Sequence, residues 1–204
     1  MLTEAHPEVQ ASIVENLEDE LAADIMEEME PDEAADVLGD LSAEKREDIL
    51  EEMEPEEAED VKELLEYEDN TAGGLMTTEY LAIQKELSAK QTIEKIRELE
   101  PSAETVYYIY VVDSSEHLAG VISLRDLIVA KPGTQVEDFM VSNVVHVHPD
   151  ASVEEVAQTL SDYNLLALQV VDDESRLLGI VTVDDALEEI LPEGWRRRVP
   201  KLWR

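Results

Sequence analysis

Two hydrophobic periodicities divide this chain. Between Val9 and Met29 an apolar residue stands at every fourth position, as Val9, Ile13, Leu17, Leu21, Ile25 and Met29, the stripe of an amphipathic helix. From Tyr80 the period shortens. Tyr80-Leu-Ala-Ile-Gln84 alternates like a strand, and Val106 to Val112 is an apolar run with three tyrosines that reads as a buried strand. Between them, Ser88 to Leu99 reads as a capped helix with Ile93, Ile96 and Leu99 on one face. Asp113-Ser-Ser-Glu-His117 is a turn, Leu118 to Ser123 the returning strand, and Asp126 to Val129 a short helix.

The same order then returns. Asn143 to His148 reads as a strand, and Ser152-Val-Glu-Glu155 is a capping box that opens a helix through Val156 and Leu160. Strands at Ala167 to Val171 and Leu178 to Val183 flank the turn Asp172 to Ser175, and Asp184 to Leu191 is the closing helix. Gly120-Val-Ile-Ser123-Leu-Arg-Asp126 matches Gly179-Ile-Val-Thr182-Val-Asp-Asp185 in spacing.

The first third carries a repeat of its own. Ile25-Met-Glu-Glu-Met29-Glu-Pro31-Asp-Glu-Ala34-Ala-Asp36-Val37 returns 24 residues later as Ile49-Leu-Glu-Glu-Met53-Glu-Pro55-Glu-Glu-Ala58-Glu-Asp60-Val61. Proline fits only the first turn of a helix, so Pro31 and Pro55 each end one helix and begin the next. Ser42 is placed to cap the helix leading to Ile49. The pattern predicts a small stack of short helices with few core residues, the less stable part of the molecule. Gly73-Gly74, between the two regimes, reads as a turn or linker, with the flexible part at Glu68 to Gly74.

Charge changes the picture more than composition does. The formal net charge is −36, and residues 1–70 hold 28 acids against three bases, Lys45, Arg46 and Lys62. Such a body repels nucleic acid and anionic lipid, and it attracts divalent cations or a basic partner; a merely solvated acidic surface is the other reading. The last ten residues hold five bases and no acid, around Trp195-Arg-Arg-Arg198 and Trp203. They suit a membrane surface, a partner's acidic face or the chain's own acidic body. Cysteine is absent, which excludes disulfides and thiolate chemistry and fits an intracellular protein. No apolar run approaches the ~20 residues of a membrane span, and no signal segment is evident. There is no Gly-x-Ser-x-Gly and no phosphate-cradling glycine loop, so the chain is not expected to be an enzyme. His146 and His148 share one face of a strand, either as a transition-metal pair or as exposed surface.

The tandem half resembles a pair of cystathionine-β-synthase (CBS) domains over residues 74–191. Leu75-Met76-Thr77 recurs as Phe139-Met140-Val141, and each unit ends in Gly-x-x-Ser/Thr-x-x-Asp. The resemblance implies a βαββα fold for each unit and a ribose held by the Ser/Thr and Asp; helix capping is the other reading of those residues. Thr71-Ala-Gly-Gly-Leu-Met-Thr77, Tyr107-Tyr-Ile-Tyr-Val-Val-Asp113 and Ser123-Leu-Arg-Asp-Leu-Ile-Val129 look more narrowly like the cytosolic region of MgtE magnesium channels. The fold class this implies is α+β, an acidic all-α helical-repeat arm followed by a tandem (βαββα)2 CBS pair. Its divisions fall at 1–68 for the arm, 69–135 and 136–191 for the CBS units, and 192–204 for a basic tail.

That family implies function as well. Its acidic domain and CBS pair bind Mg²⁺ at their interface and hold a membrane pore closed, and its CBS pair dimerises and binds ATP. Carried over, the metal ligands are Asp36, Asp60, Asp184, Asp185 and Glu188, with Asp36 and Asp60 chosen as equivalent repeat positions. An adenine nucleotide would meet Tyr108 as an aromatic wall, Arg125 at phosphate and Asp126 at ribose. The chain departs from the family in having Asn164-Leu165 after Tyr163, where Asp-Phe is usual. The expected partners are a second copy through the CBS pair and a pore domain outside this chain, and not nucleic acid. The expected place is the cytoplasm, at the inner face of the cell membrane, in a regulatory fragment or a soluble relative. An adenine-nucleotide sensor that docks on another protein is the alternative.

Overall fold

The computed structural model describes residues 7–99 and 107–191. Val106, at the head of the expected strand, and the tail with Trp195, Arg196 to Arg198 and Trp203 lie outside the described residues.

The arm is five short helices: α1 (Pro7–Val14), α2 (Asp19–Glu27), α3 (Pro31–Gly39), α4 (Ala43–Glu52) and α5 (Pro55–Leu64). Pro31 and Pro55 stand in the first turns of α3 and α5, and Ser42 caps α4 by accepting from the Lys45 amide. The repeat stacks α2 on α4 and α3 on α5, burying Ala22, Met26, Val37, Leu38, Ile49 and Val61. The fourfold stripe from Val9 does not run on as one helix. A turn after Val14 splits it, and Ile13 and Leu21 are 42% and 48% exposed, while Ala11, Val14, Ala22 and Ala23 face inward. Small alanines let these helices approach closely. Acids from one layer also close the next: the Ser42 hydroxyl donates to Glu15 Oε1 (2.8 Å) and the Glu54 amide to Glu27 Oε1 (2.6 Å). These carboxylates satisfy orphan donors at helix N-termini, where negative charge is favoured.

Each half of the remainder is a three-stranded sheet with two helices. The first has β1 (Ala82–Gln84), α7 (Ala89–Leu99), β2 (Tyr108–Val112), β3 (Leu118–Ser123) and α8 (Leu124–Val129); α6 is the short helix Ala72–Leu75 before it. The second has β4 (His146–Val147), α9 (Val153–Tyr163), β5 (Ala167–Val171), β6 (Leu177–Thr182) and α10 (Val183–Ile190). In both, the first strand is parallel and the last antiparallel to the central one. Register shifts at Val111/Val112 and at Val170/Val171 repeat as well. The expected strand Asn143–His148 shortens to His146–Val147.

The halves are interlocked. Thr77, ahead of the first sheet, pairs with Ile180 on β6, and Val141, ahead of the second, pairs with Val121 on β3. Tyr110, Ala167, Val171, Leu177 and Ile180 form a shared core beneath Tyr80 and Tyr108.

The Gly73-Gly74 joint is not a loose linker in this arrangement. α6 is tied to the second half, with the Ala72 amide donating to Ala151 O (2.8 Å) and the Gly73 amide to Pro149 O (2.9 Å). No described glycine has positive φ, so the pair is needed for space rather than for backbone freedom. A Cβ on Gly73 would lie 2.4 Å from the Tyr67 ring, and one on Gly74 would lie 2.4 Å from Glu68 O. Through Ala72 and Met76 the arm core runs on into Val147, Leu168 and Val181.

Gly74→Ala is therefore expected to cost about 1–3 kcal/mol, because backbone, not a flexible side chain, blocks the methyl group. Gly133→Ala, with nothing within 4 Å, should be near neutral. Thermal unfolding of the two variants checks this; equal melting temperatures would show the joint to be slack.

Candidate metal centre between arm and second CBS unit

The arm's α3 brings two of its acids, Asp32 and Asp36, near the second half. Asp32, in the first turn of α3, is half-buried; its Oδ1 is sealed from water without a hydrogen-bond partner, and the Thr77 hydroxyl bonds the same carboxylate. Burial above all, then the charges of Asp185 and Glu30, push the Asp32 carboxyl from its ordinary 3.8 up to about 7. One turn on, Asp36 is pushed the same way, first by burial and then by Asp69, Glu189, Asp40 and Glu33. Asp36 is exposed although protein crowds it, so solvent screens its charge more than that of Asp32.

Two acid pairs thus face each other, each spaced i, i+4 along one helix face: Asp32 and Asp36 on α3, Asp185 and Glu189 on α10. Among the described residues, the charges acting on Asp32 and Asp36 are all acids. The donors are carboxylates and a hydroxyl, the hard oxygens that Mg²⁺ or Ca²⁺ prefers. Among the described residues no group of three or more His, Asp or Glu forms a finished cage. An ion that keeps several waters needs only one or two carboxylates from each side.

The expected ligands divide. Asp36 and Asp185 lie at this contact. Asp60 does not meet them: it is exposed on α5, and the charges raising it are its own helix's Glu59 and Glu56. The repeat made Asp36 and Asp60 equivalent, but only α3 turns its acids to α10. Asp184 is exposed, 2.7 Å from the Thr182 hydroxyl. Glu188 is exposed, and the α10 acid that faces Asp36 is the next residue, Glu189. Asp32, Asp69, Thr77 and Glu189 were not read from the sequence. The i, i+4 acid pairs were the available signal, yet Glu56 and Asp60 show the same spacing.

A second constellation lies at the first half. The Ser123 hydroxyl donates to Asp126 Oδ2 (2.6 Å) and accepts from the Asp126 amide (3.1 Å), while Arg125 is exposed and Tyr108 half-buried. In this state Ser123 caps α8, which keeps both the capping and the ligand reading of that pair. His146 and His148 have separate partners: His146 bonds Val144 O (3.1 Å), and His148 lies near Asp150 and Asp173.

Comparison with known proteins agrees with this order of parts. A family profile of the MgtE intracellular N domain matches residues 1–70, and the CBS domain profile matches 72–133 and 136–192. The magnesium transporter MgtE of Thermus thermophilus is 50% identical over 128 residues, 63% of this chain and 28% of that protein. The Enterococcus faecalis transporter of the same name is 46% identical over the same shares. The chain therefore spans 28% of the length of these curated relatives. The crystal structure of the soluble part of a magnesium transporter superposes with a TM-score of 0.81 at 38% identity, covering 93% of this chain and 79% of that one. The cytosolic domain of the Mg²⁺ channel MgtE in complex with ATP gives 0.77 at 39% identity, covering 93% and 82%. The chain belongs to the MgtE family and joins an MgtE intracellular N domain to a pair of CBS domains.

Proposed function

We propose that this chain is a Mg²⁺-responsive cytosolic regulatory module, in which divalent cations bridge the acidic arm and the second CBS unit. One observation carries the reading: half-buried Asp32, with one oxygen sealed from water and unpartnered, lies near enough to Asp185 for the two charges to repel. Asp32, Asp36, Asp185 and Glu189 are the residues that would hold the ion. Bridging cations screen the repulsion there and favour the closed arrangement. Without them the acids oppose closure and the arm opens. The chain's output goes to a pore domain or another protein outside it. The share of the relatives it covers and their names support a transporter's regulatory piece.

A second copy is a further proposed partner. Leu99, Ile128 and Val129 on the first CBS unit, with Tyr163, Leu187 and Ile190 on the second, are large apolar side chains left exposed on matching helices. Adenine-nucleotide sensing is the second reading. The ATP complex of a neighbour at 39% identity favours it, with Tyr108, Arg125 and Asp126 as the residues involved.

Small-angle scattering in the presence and absence of millimolar-range Mg²⁺ tests the first reading. The radius of gyration should fall with Mg²⁺, and protease should cut residues 64–72 only in its absence. An unchanged size and cleavage pattern would sink it. Asp32→Asn combined with Asp36→Asn should stay compact without Mg²⁺ and lose most of the Mg²⁺ response, since the repulsion and the ligands go together.

The pH dependence has a definite sign. A carboxyl whose pKa is higher in the closed state holds its proton more tightly there. The resulting stabilisation of closure is complete below 3.8 and lost as pH rises through about 7. In chelator the chain should therefore be more compact at pH 5.5 than at pH 8, and Mg²⁺ should remove that difference. Equal compactness at both pH values in chelator would contradict it.

A further inference from the structure

The helix pairs of the two halves differ where duplication would make them alike. Counted from Ser88 and Ser152, the serines that cap α7 and α9, Ala157 is the counterpart of Ile93. Counted from Ser123 and Thr182, which cap α8 and α10, Ala186 is the counterpart of Leu127. Ile93 and Leu127 pack in the core of the first half. The two alanines leave a groove of about 360 Å³ between α9 and α10. Leu160 and Ala186 are buried in its floor, while Leu187 and Ile190 are 44% and 45% exposed at its edge.

Charge divides the pairs as well. α7 and α8 carry Lys90, Lys95, Arg97 and Arg125, whereas α9 and α10 carry acids and no base. Neither helix of the second pair has a cation in its last turn, where one is favoured. A second copy joined through this face alone would set those acids against their own equivalents. The chain holds a segment of the opposite kind. Residues 195–204 have five bases and no acid, and with Trp195 and Trp203 they include both of its tryptophans. Trp195 follows Ile190 by five residues, a reach of about 17 Å when extended. The eight residues of α10 span only about 12 Å. Pro192 cannot extend α10, and Gly194 gives the backbone freedom to reverse.

We propose that the basic tail, residues 192–204, docks on α9 and α10 with the Trp195 ring in the groove and Arg196 to Arg198 over the acids of these helices. An indole removes a large apolar area from water and needs an acceptor for its N–H. Ser161 and Asn164, the polar members of the groove lining, offer one. The docked tail covers Leu187 and Ile190, which the second-copy reading also uses. Only that consequence rests on the second-copy reading; the docking does not.

Because both tryptophans lie in the tail, intrinsic fluorescence reads the tail alone. In the full chain with Trp203→Phe, Trp195 should emit at shorter wavelength than indole in water and resist quenching by acrylamide. Filling the groove with Ala157→Ile should shift the emission to the red and raise the quenching constant several-fold. Leu187→Ser, at an exposed position where folding is not at stake, should move both in the same direction. A Trp195 quenched as freely as in the denatured chain, or protection that survives both variants, overturns the proposal. So does protection that fades on dilution, the sign of a second copy covering the ring. Sedimentation of the same samples tests the second-copy reading separately: a chain that stays monomeric with Trp195 protected sinks that reading and supports the docked tail.

Discussion

Like charges held near one another are the constraint on which this structure turns. α3 and α10 each present two carboxylates one helical turn apart, and they present them to each other. Apolar packing of Tyr67, Ala72, Leu75 and Met76 against the second CBS unit holds the surfaces together, while the acids oppose it. On the proposed function, a contact balanced in this way answers to whatever neutralises charge, a proton or a cation. It can do so only through a difference in affinity between closed and open states. The Asp32 oxygen sealed from water strengthens the repulsion, because charges act on each other most strongly where water is excluded.

The joint determines what such a balance can move. α6 is bonded through its backbone to Pro149 and Ala151 and is packed under Tyr67. It belongs mechanically to the second CBS unit. On the proposed function, the boundary of the moving part therefore lies on the arm side of Ala72, toward the turn after α5. The glycines that looked like a swivel are instead the places where two pieces of chain come too close for a methyl group.

Duplication accounts for the rest of the architecture. Two copies of one βαββα pattern place a hydroxyl and a carboxylate at the head of each closing helix, Ser123 with Asp126 in the first and Thr182 with Asp185 in the second. The copies differ around them: Tyr108 stands where the second has Ala167, and Arg125 where it has Asp184.

Much of this was legible along the chain. Proline fits only a helix's first turn, so Pro31 and Pro55 marked the arm's helices. The alternation and turn residues from Tyr80 placed strands within a few residues. Those are local rules, and local rules act through neighbours in sequence. The pairing of Asp32 with Asp185 spans most of the chain and follows no periodicity. Asp36 and Asp60 hold the same repeat position, yet the stack brings only Asp36 near α10, while the charge of Asp60 acts on Tyr80. Glycine at 73 and 74 likewise records a need for either freedom or space, and only the tertiary position of Tyr67 and Glu68 decided for space. Sequence determined which elements form and how acidic they are; packing alone decided which acids must share a surface.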